Sequence, residues 1–355
     1  MSDGLEDAEP RAALDYPCGD APPPGTTREI APGVHWIRMP LPYALDHINL
    51  YVLDDGAEGW AVVDTGTRTD AVTEAWRGIF AQAPAGARLS RIFVTHMHPD
   101  HVGMAGWLAR KSGARLWMSG GEYLHCRAMV SDTGREAPPD AIAFYRRAGW
   151  GEAAIETYRA RFGNFGKHIH PLPDSFRRLS DGEVLSIGGH EWRVVVGTGH
   201  SPEHACLWAP DLKLLVSGDQ VLPRISSNVS VYPLEPDANP MQGWLDSLDK
   251  LQRTVPDDVL VLPSHNEPFR GLHRRLDALR RGQHAALKRL KRSLAEPKRA
   301  IDVFGALFAR PIPESNVPLL GMATGESLAC LNYLVARGEA VRESGEDGVD
   351  RWRVG

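Results

Sequence analysis

The segment "THMHPDHVG", residues 95–103, restricts what this chain can fold into more than any other stretch. It packs His96, His98, Asp100 and His101 into six residues directly after "RIFV", an apolar, β-branched run that reads as a strand. Side chains alternate across an extended backbone, so His96 and His98 are expected on one side. The turn through Pro99 would swing Asp100 and His101 toward a neighbouring point. That arrangement suits two adjacent metal ions better than one. Imidazole and carboxylate without thiolate fit zinc in a catalytic site, with manganese or iron as substitutes. A polar turn with solvated histidines is the bland alternative, and it does not explain four metal-type side chains in one turn.

Three later strand ends add to the cluster. "GTGHSPEH" places His200 after a β-rich run, "LLVSGDQ" ends a strand at Asp219, and "VLVLPSHNEP" ends one at His265. Together with the first segment they supply five histidines and two aspartates, enough for two metals with open positions for water and substrate. Around them, short apolar runs such as "INLYVL" and "GWAVVDTG" first pair locally and then alternate with helical patterns such as "TDAVTEAWRGIFAQA". This order predicts an α/β layered fold.

With 355 residues the chain can bury a large core and carry a second, smaller domain. Residues 1–28, with the Pro-rich "PCGDAPPPG", are expected to form a mobile tail. Residues 29–270 read as the catalytic domain, with the aromatic-rich stretch 120–170 as a lid or pocket wall, or with its single rings in plain core packing. Residues 271–355 read as a basic helix followed by helix, helix and a terminal hairpin, an order like that of a winged helix. The four cysteines form no C-x-x-C pair, which argues against a disulfide framework or a thiolate zinc site and for a reducing cytoplasm. No apolar run is read as a membrane span, and the acidic N-terminus is unlike a signal peptide. A net charge of −5 gives no global attraction to nucleic acid.

The order H-x-H-x-D-H, histidine, aspartate, histidine resembles the binuclear signature of the metallo-β-lactamase superfamily over about residues 30–270. The resemblance implies an αββα sandwich with the site at one edge of two packed sheets. It also implies two zinc ions, the first held by His96, His98 and His200 and the second by Asp100, His101 and His265, with Asp219 bridging. Asp64 in "VVDTG" matches a structural aspartate near the metals, and Glu203 stands where glycine is commonest. The implied chemistry is hydrolysis by a metal-bridging hydroxide, with Asp100 as the catalytic residue that orients it and carries its proton.

True β-lactamases of this fold typically lack an aspartate where Asp219 stands, so antibiotic hydrolysis is disfavoured. "DQVLPRISSNVSVYP", "LPSHNEPFRGLHRRLDAL" and the winged-helix-like end resemble a subgroup that contains a single-strand endoribonuclease and polyketide-associated thioesterases. Hydrolysis of an acyl thioester or ester, of the acyl-CoA or glutathione type, is therefore the leading expectation, with a small-molecule acyl substrate as partner. An endoribonuclease is the alternative, because segment 270–299 holds eleven Lys and Arg residues against Asp277 and Glu296. A solvated helix face explains the same charges. An inactive metal-bearing sensor or assembly protein is the third class; under every reading no membrane partner is expected, and a homo-oligomer is compatible with the sequence.

Overall fold

The computed structural model describes residues 14–42, 45–82 and 88–355. Two sheets form its centre. The first contains β1 (Arg28–Ala31), β2 (Val34–Pro40), β3 (His47–Asp54), β4 (Trp60–Val63), β5 (Leu89–Phe93), β6 (Arg115–Ser119) and β7 (Arg177–Leu179), in that spatial order. Its strands are antiparallel from β1 to β4 and parallel from β4 to β7. The second contains β8 (Val184–Ile187), β9 (His190–Gly197), β10 (His204–Ala209), β11 (Leu214–Gly218) and β12 (Leu260–Pro263), with only the β11–β12 pair parallel.

Strands β3, β4, β10, β11 and β12 are covered on both faces and so are buried on successive residues, whereas β8 at a sheet edge alternates exposed and buried positions. Trp36, Tyr51, Val63 and Phe93 of the first sheet meet Trp192, Val194, Leu207, Val216 and Leu262 of the second. The outer face of the first sheet, including Ile37, Leu50, Val62 and Ile92, is covered by α1 (Asp70–Gln82), α2 (Pro99–Val102), α3 (Ala105–Ser112) and α4 (Gly120–Ser131). The outer face of the second sheet is covered by α5 (Pro139–Arg147), α6 (Glu152–Arg161), α7 (Pro240–Thr254), α8 (Leu272–Ser293), α9 (Phe304–Leu307) and α10 (Val317–Ala336). The resulting order of layers is αββα. A hairpin of β13 (Ala340–Ser344) and β14 (Asp350–Val354) closes the chain.

Several local expectations change in three dimensions. Residues 14–28 are docked: Leu14 and Tyr16 pack against the core, and the Arg270 N–H donates to the Asp15 carbonyl at 2.8 Å. The mobile tail expected through residue 28 therefore does not include them, and residues 1–13 lie outside the described residues. In 120–170, Phe144, Tyr145 and Trp150 are buried in the core rather than arranged as a lid. The reading that no segment could span a bilayer is also corrected. By length and composition α10 could, yet 61% of its most apolar window is buried in this fold.

The basic segment is largely engaged within the fold. Arg275 donates to the carbonyls of Leu222 and Ile225 at 2.6 and 2.7 Å, and Arg270 to that of Asp258 at 3.0 Å. Arg280 pairs with Asp249 at 3.1 Å, Lys291 with Glu339 at 2.9 Å and Arg299 with Asp302 at 2.8 Å. Arg274 and Arg281 also have partners.

The C-terminal elements share one apolar cluster with the second sheet, in which Trp352 of β14 lies with Leu276 and Leu287 of α8 and Val261 of β12. Trp352→Ala should therefore lower the stability of the whole chain by about 3–5 kcal/mol in a single cooperative transition. Calorimetry checks this, and a separate early transition confined to the hairpin would contradict it.

Candidate metal centre

The ends of β4, β5, β11 and β12 and the β9–β10 turn meet at one edge of the sandwich. Main-chain bonds join the sheets there: the Asn49 N–H donates to the Ser264 carbonyl at 2.7 Å and the Ala205 N–H to the Thr95 carbonyl at 2.9 Å. All seven residues singled out from the sequence come together at this edge. The ligating atoms of His96, His98, His200 and Asp219 lie within 4.8 Å of one another, and so do those of Asp100, His101 and His265. Asp219 stands between the two groups. Its Oδ2 is 3.5 Å from His200 Nε2, while its Oδ1 is 3.5 Å from both His101 Nε2 and His265 Nε2.

The donor set fits divalent metal. His96 Nε2 lies 2.9 Å from His98 Nδ1 and 3.2 Å from His200 Nε2. Two nitrogens bound tetrahedrally to zinc at about 2.1 Å stand about 3.4 Å apart, close to this spacing. His101 Nε2 and Asp219 Oδ1 are buried without hydrogen-bond partners, a costly state for polar atoms that a cation would relieve.

Outer contacts aim each imidazole. His200 Nδ1 donates to the Asn228 carbonyl at 2.7 Å and His265 Nδ1 to the His47 carbonyl at 2.9 Å, which leaves both Nε2 atoms facing inward. Asp64, held at φ 62° by the turn after β4, accepts from His101 Nδ1 at 2.8 Å and from the Thr95 N–H at 2.8 Å. The Thr95 hydroxyl donates to Asp64 and accepts from His96 Nδ1 at 3.0 Å. One aspartate thus orients a histidine of each group.

Glu122 and His204 were not picked out from the sequence, and Glu203 was noted there only as a departure from glycine. The fully buried Glu122 accepts from the Met97 N–H at 2.9 Å, the Ser201 hydroxyl at 2.6 Å and the Glu203 N–H at 2.7 Å, tying the "THMHPDH" and "GHSPEH" loops together. Glu203 in turn accepts from the Gly121 N–H at 2.7 Å, so the residue that departs from the family's glycine locks α4 to the site. His204 Nε2 accepts from the Asp219 N–H at 3.1 Å. Gly218 permits this: its φ is 53°, and a Cβ there would lie 2.5 Å from the His204 ring.

Residues 44–265 match the Metallo-beta-lactamase superfamily, and residues 287–355 match its "Metallo-beta-lactamase-like, C-terminal domain". The chain belongs to the metallo-beta-lactamase superfamily. Among solved structures it is similar to a beta-lactamase domain protein from Burkholderia ambifaria, at 41% identity and a TM-score of 0.87 over 96% of this chain and 98% of that one. It is 27% identical to an acyl-coenzyme A thioesterase of Gallus gallus over 68% of this chain and 80% of that protein. It is 26% identical to a hydroxyacylglutathione hydrolase of Rhodopseudomonas palustris over 63% of this chain and 64% of that protein.

Charge divides the two halves of this superfamily site. Burial and neighbouring imidazoles push His96 well down and His98 down to about 3, so both stay neutral and ready to ligate. Burial would also lower His101 and His265, but the carboxylates prevail. Asp100, Asp64 and Asp219 raise His101 well above the imidazole range, and Asp219 and Asp100 hold His265 up to about 10.

Without metal, therefore, His101 and His265 carry protons at neutral pH, and a cation entering their group must expel them. Metal affinity of that group should rise about tenfold per pH unit for each proton displaced, whereas His96 and His98, held neutral, release none between about pH 6 and 8. Calorimetric metal titrations in buffers of different ionisation enthalpy read the protons released. Equal proton release at both groups would contradict the assignment. His96→Ala and His265→Ala should each lower metal content by about one ion per chain. Elemental analysis measures this, and no change in either variant would refute it.

Proposed function

We propose that this chain is a two-metal hydrolase, with zinc as the leading cofactor and manganese or iron as substitutes, acting on acyl thioesters. The observation that carries the reading is Asp219, whose two carboxylate oxygens face different ligand groups. His96, His98 and His200 would hold one ion and Asp100, His101 and His265 the other. Bound divalent ions supply Lewis acidity, which polarises a carbonyl oxygen and lowers the pKa of water to near 7.

The chain's own residues orient the reaction. Asp100 has 19% of its side chain exposed, against 10% for Asp219 and 2% for Asp64, so it is the carboxylate that substrate and solvent reach. Burial would raise its pKa, but His101 and His265 hold it down to about 2. It is ionised at neutral pH and able to accept a proton from the attacking water. No cysteine competes for the nucleophile's role near the centre: Cys206 lies 3.7 Å from His204 Nδ1, but burial pushes its thiol up to about 12.

The thioester reading draws support from the relatives named acyl-coenzyme A thioesterase and hydroxyacylglutathione hydrolase. The endoribonuclease reading rested on the basic segment 270–299, and the engagement of Arg270, Arg275, Arg280, Lys291 and Arg299 within the fold weakens it. The helix, helix, hairpin order of residues 300–354 supports a winged-helix-like reading of the C-terminal domain.

The test is hydrolysis by the metal-loaded chain of acyl-CoA, acyl-glutathione, lactone and single-stranded RNA. Chelator-sensitive turnover of thioesters is expected. RNA cleavage without thioester turnover would overturn the proposal, and metal content without any turnover would favour a sensor or assembly protein.

A further inference from the structure

A cavity of about 380 Å³ opens beside His200, and Met97, between the first two ligands, forms part of its wall. The volume falls within the range of small-molecule sites. Pro202, Val231, Tyr232 and Leu234 supply apolar surface. The polar groups in the wall are mostly occupied elsewhere. The Ser201 hydroxyl donates to Glu122 at 2.6 Å and that of Ser230 to Asn228 at 2.6 Å, while the Asn239 side chain caps α7 by accepting from the Gln242 N–H at 3.3 Å. His125 and Glu235 are the lining side chains left to meet a polar ligand, few for a sugar or nucleotide. An alkyl chain would need none.

Two rim residues point the same way. Leu234 is 70% exposed and Tyr232 41% exposed, and both lie in the irregular segment between β11 and α7. Large apolar side chains left in water beside a cavity gain burial when an apolar ligand enters.

The segment rests on the C-terminal domain. The Val231 N–H donates to the Gly325 carbonyl at 3.0 Å, and the Asn332 amide donates to the carbonyls of Pro236 and Ala238 at 3.2 and 2.9 Å. Gly325 is required for this approach, since a Cβ there would lie 2.8 Å from Ser230 Cβ. Helix α10 therefore sets the distance between the rim and the metal ligands.

We propose that this cavity holds the alkyl tail of an acyl substrate whose carbonyl lies at the metal centre, and that α10 fixes its shape. The inference rests on the thioester reading above for the identity of the head group, not for the tail. Each methylene buried is worth about fourfold in affinity or in kcat/KM, until the space is filled.

The experiment uses the metal-loaded full chain and two series of N-acetylcysteamine compounds with alkyl lengths from two to twelve carbons. Thioesters report kcat/KM, and the matching thioethers, which cannot be hydrolysed, report Kd by calorimetry. Both are expected to improve with chain length by about fourfold per methylene before levelling off. Leu234→Asp and Tyr232→Ala, at the exposed rim, should weaken the twelve-carbon compounds at least about tenfold and leave the two-carbon thioester unchanged. Chain-independent kcat/KM together with chain-independent Kd would overturn the cavity proposal while leaving the thioesterase reading intact. Chain-dependent thioether binding with no thioester turnover would uphold the cavity and overturn that reading. Equal losses for short and long chains in both variants would also overturn the cavity proposal.

Discussion

The Asp219 carboxylate is buried among imidazoles, and a charge so placed is stable only where cations compensate it. Much of the architecture serves that condition. Strand β11 delivers the residue, Gly218 allows the backbone to turn against the His204 ring, and His204 accepts the Asp219 N–H. With the backbone fixed in this way, one carboxylate oxygen faces each ligand group. Protons on His101 and His265 can supply the compensation, and bound divalent ions would do so with higher charge.

Rigidity around Asp219 comes from residues outside the cluster of ligand-type side chains. Asp64 orients His101 directly and His96 through Thr95. Glu122 and Glu203 fasten two ligand-bearing loops to each other and to the start of α4. Asn228 aims His200 through its carbonyl, while its side-chain amide donates to Glu326 of α10 at 2.9 Å. The C-terminal helix thus supports both a metal ligand and the wall of the adjacent cavity. This gives the second domain a physical role in the site without contributing a ligand.

The site was legible in the sequence where its chemistry is local. Four ligand-type side chains crowd one turn at residues 96–101, and His200, Asp219 and His265 each follow an apolar run. The layered α/β fold was legible for the same reason, since period-two and helical patterns alternate along the chain. What escaped notice depends on long-range contacts. Glu122 is an ordinary glutamate near a helix start until the fold brings Met97, Ser201 and Glu203 onto it. His204 carries no local signal of its role, because its partner, the Asp219 N–H, is fifteen positions away. The basic segment misled for the opposite reason: carbonyls and carboxylates from α7, the β11–α7 segment and the C-terminus absorb charges that looked available in one dimension. Residues 14–28 appeared unable to fold alone, which is consistent with their packing against a core supplied by the rest of the chain.

In the proposed reading Asp219 lies between two metal ions. Anomalous diffraction from crystals of the metal-loaded protein, collected on both sides of the zinc absorption edge and repeated for manganese and iron, tests it directly. The account predicts two anomalous peaks flanking the Asp219 carboxylate, one among His96, His98 and His200 and the other among Asp100, His101 and His265. A single peak, or two peaks that leave Asp219 outside both coordination spheres, would contradict it.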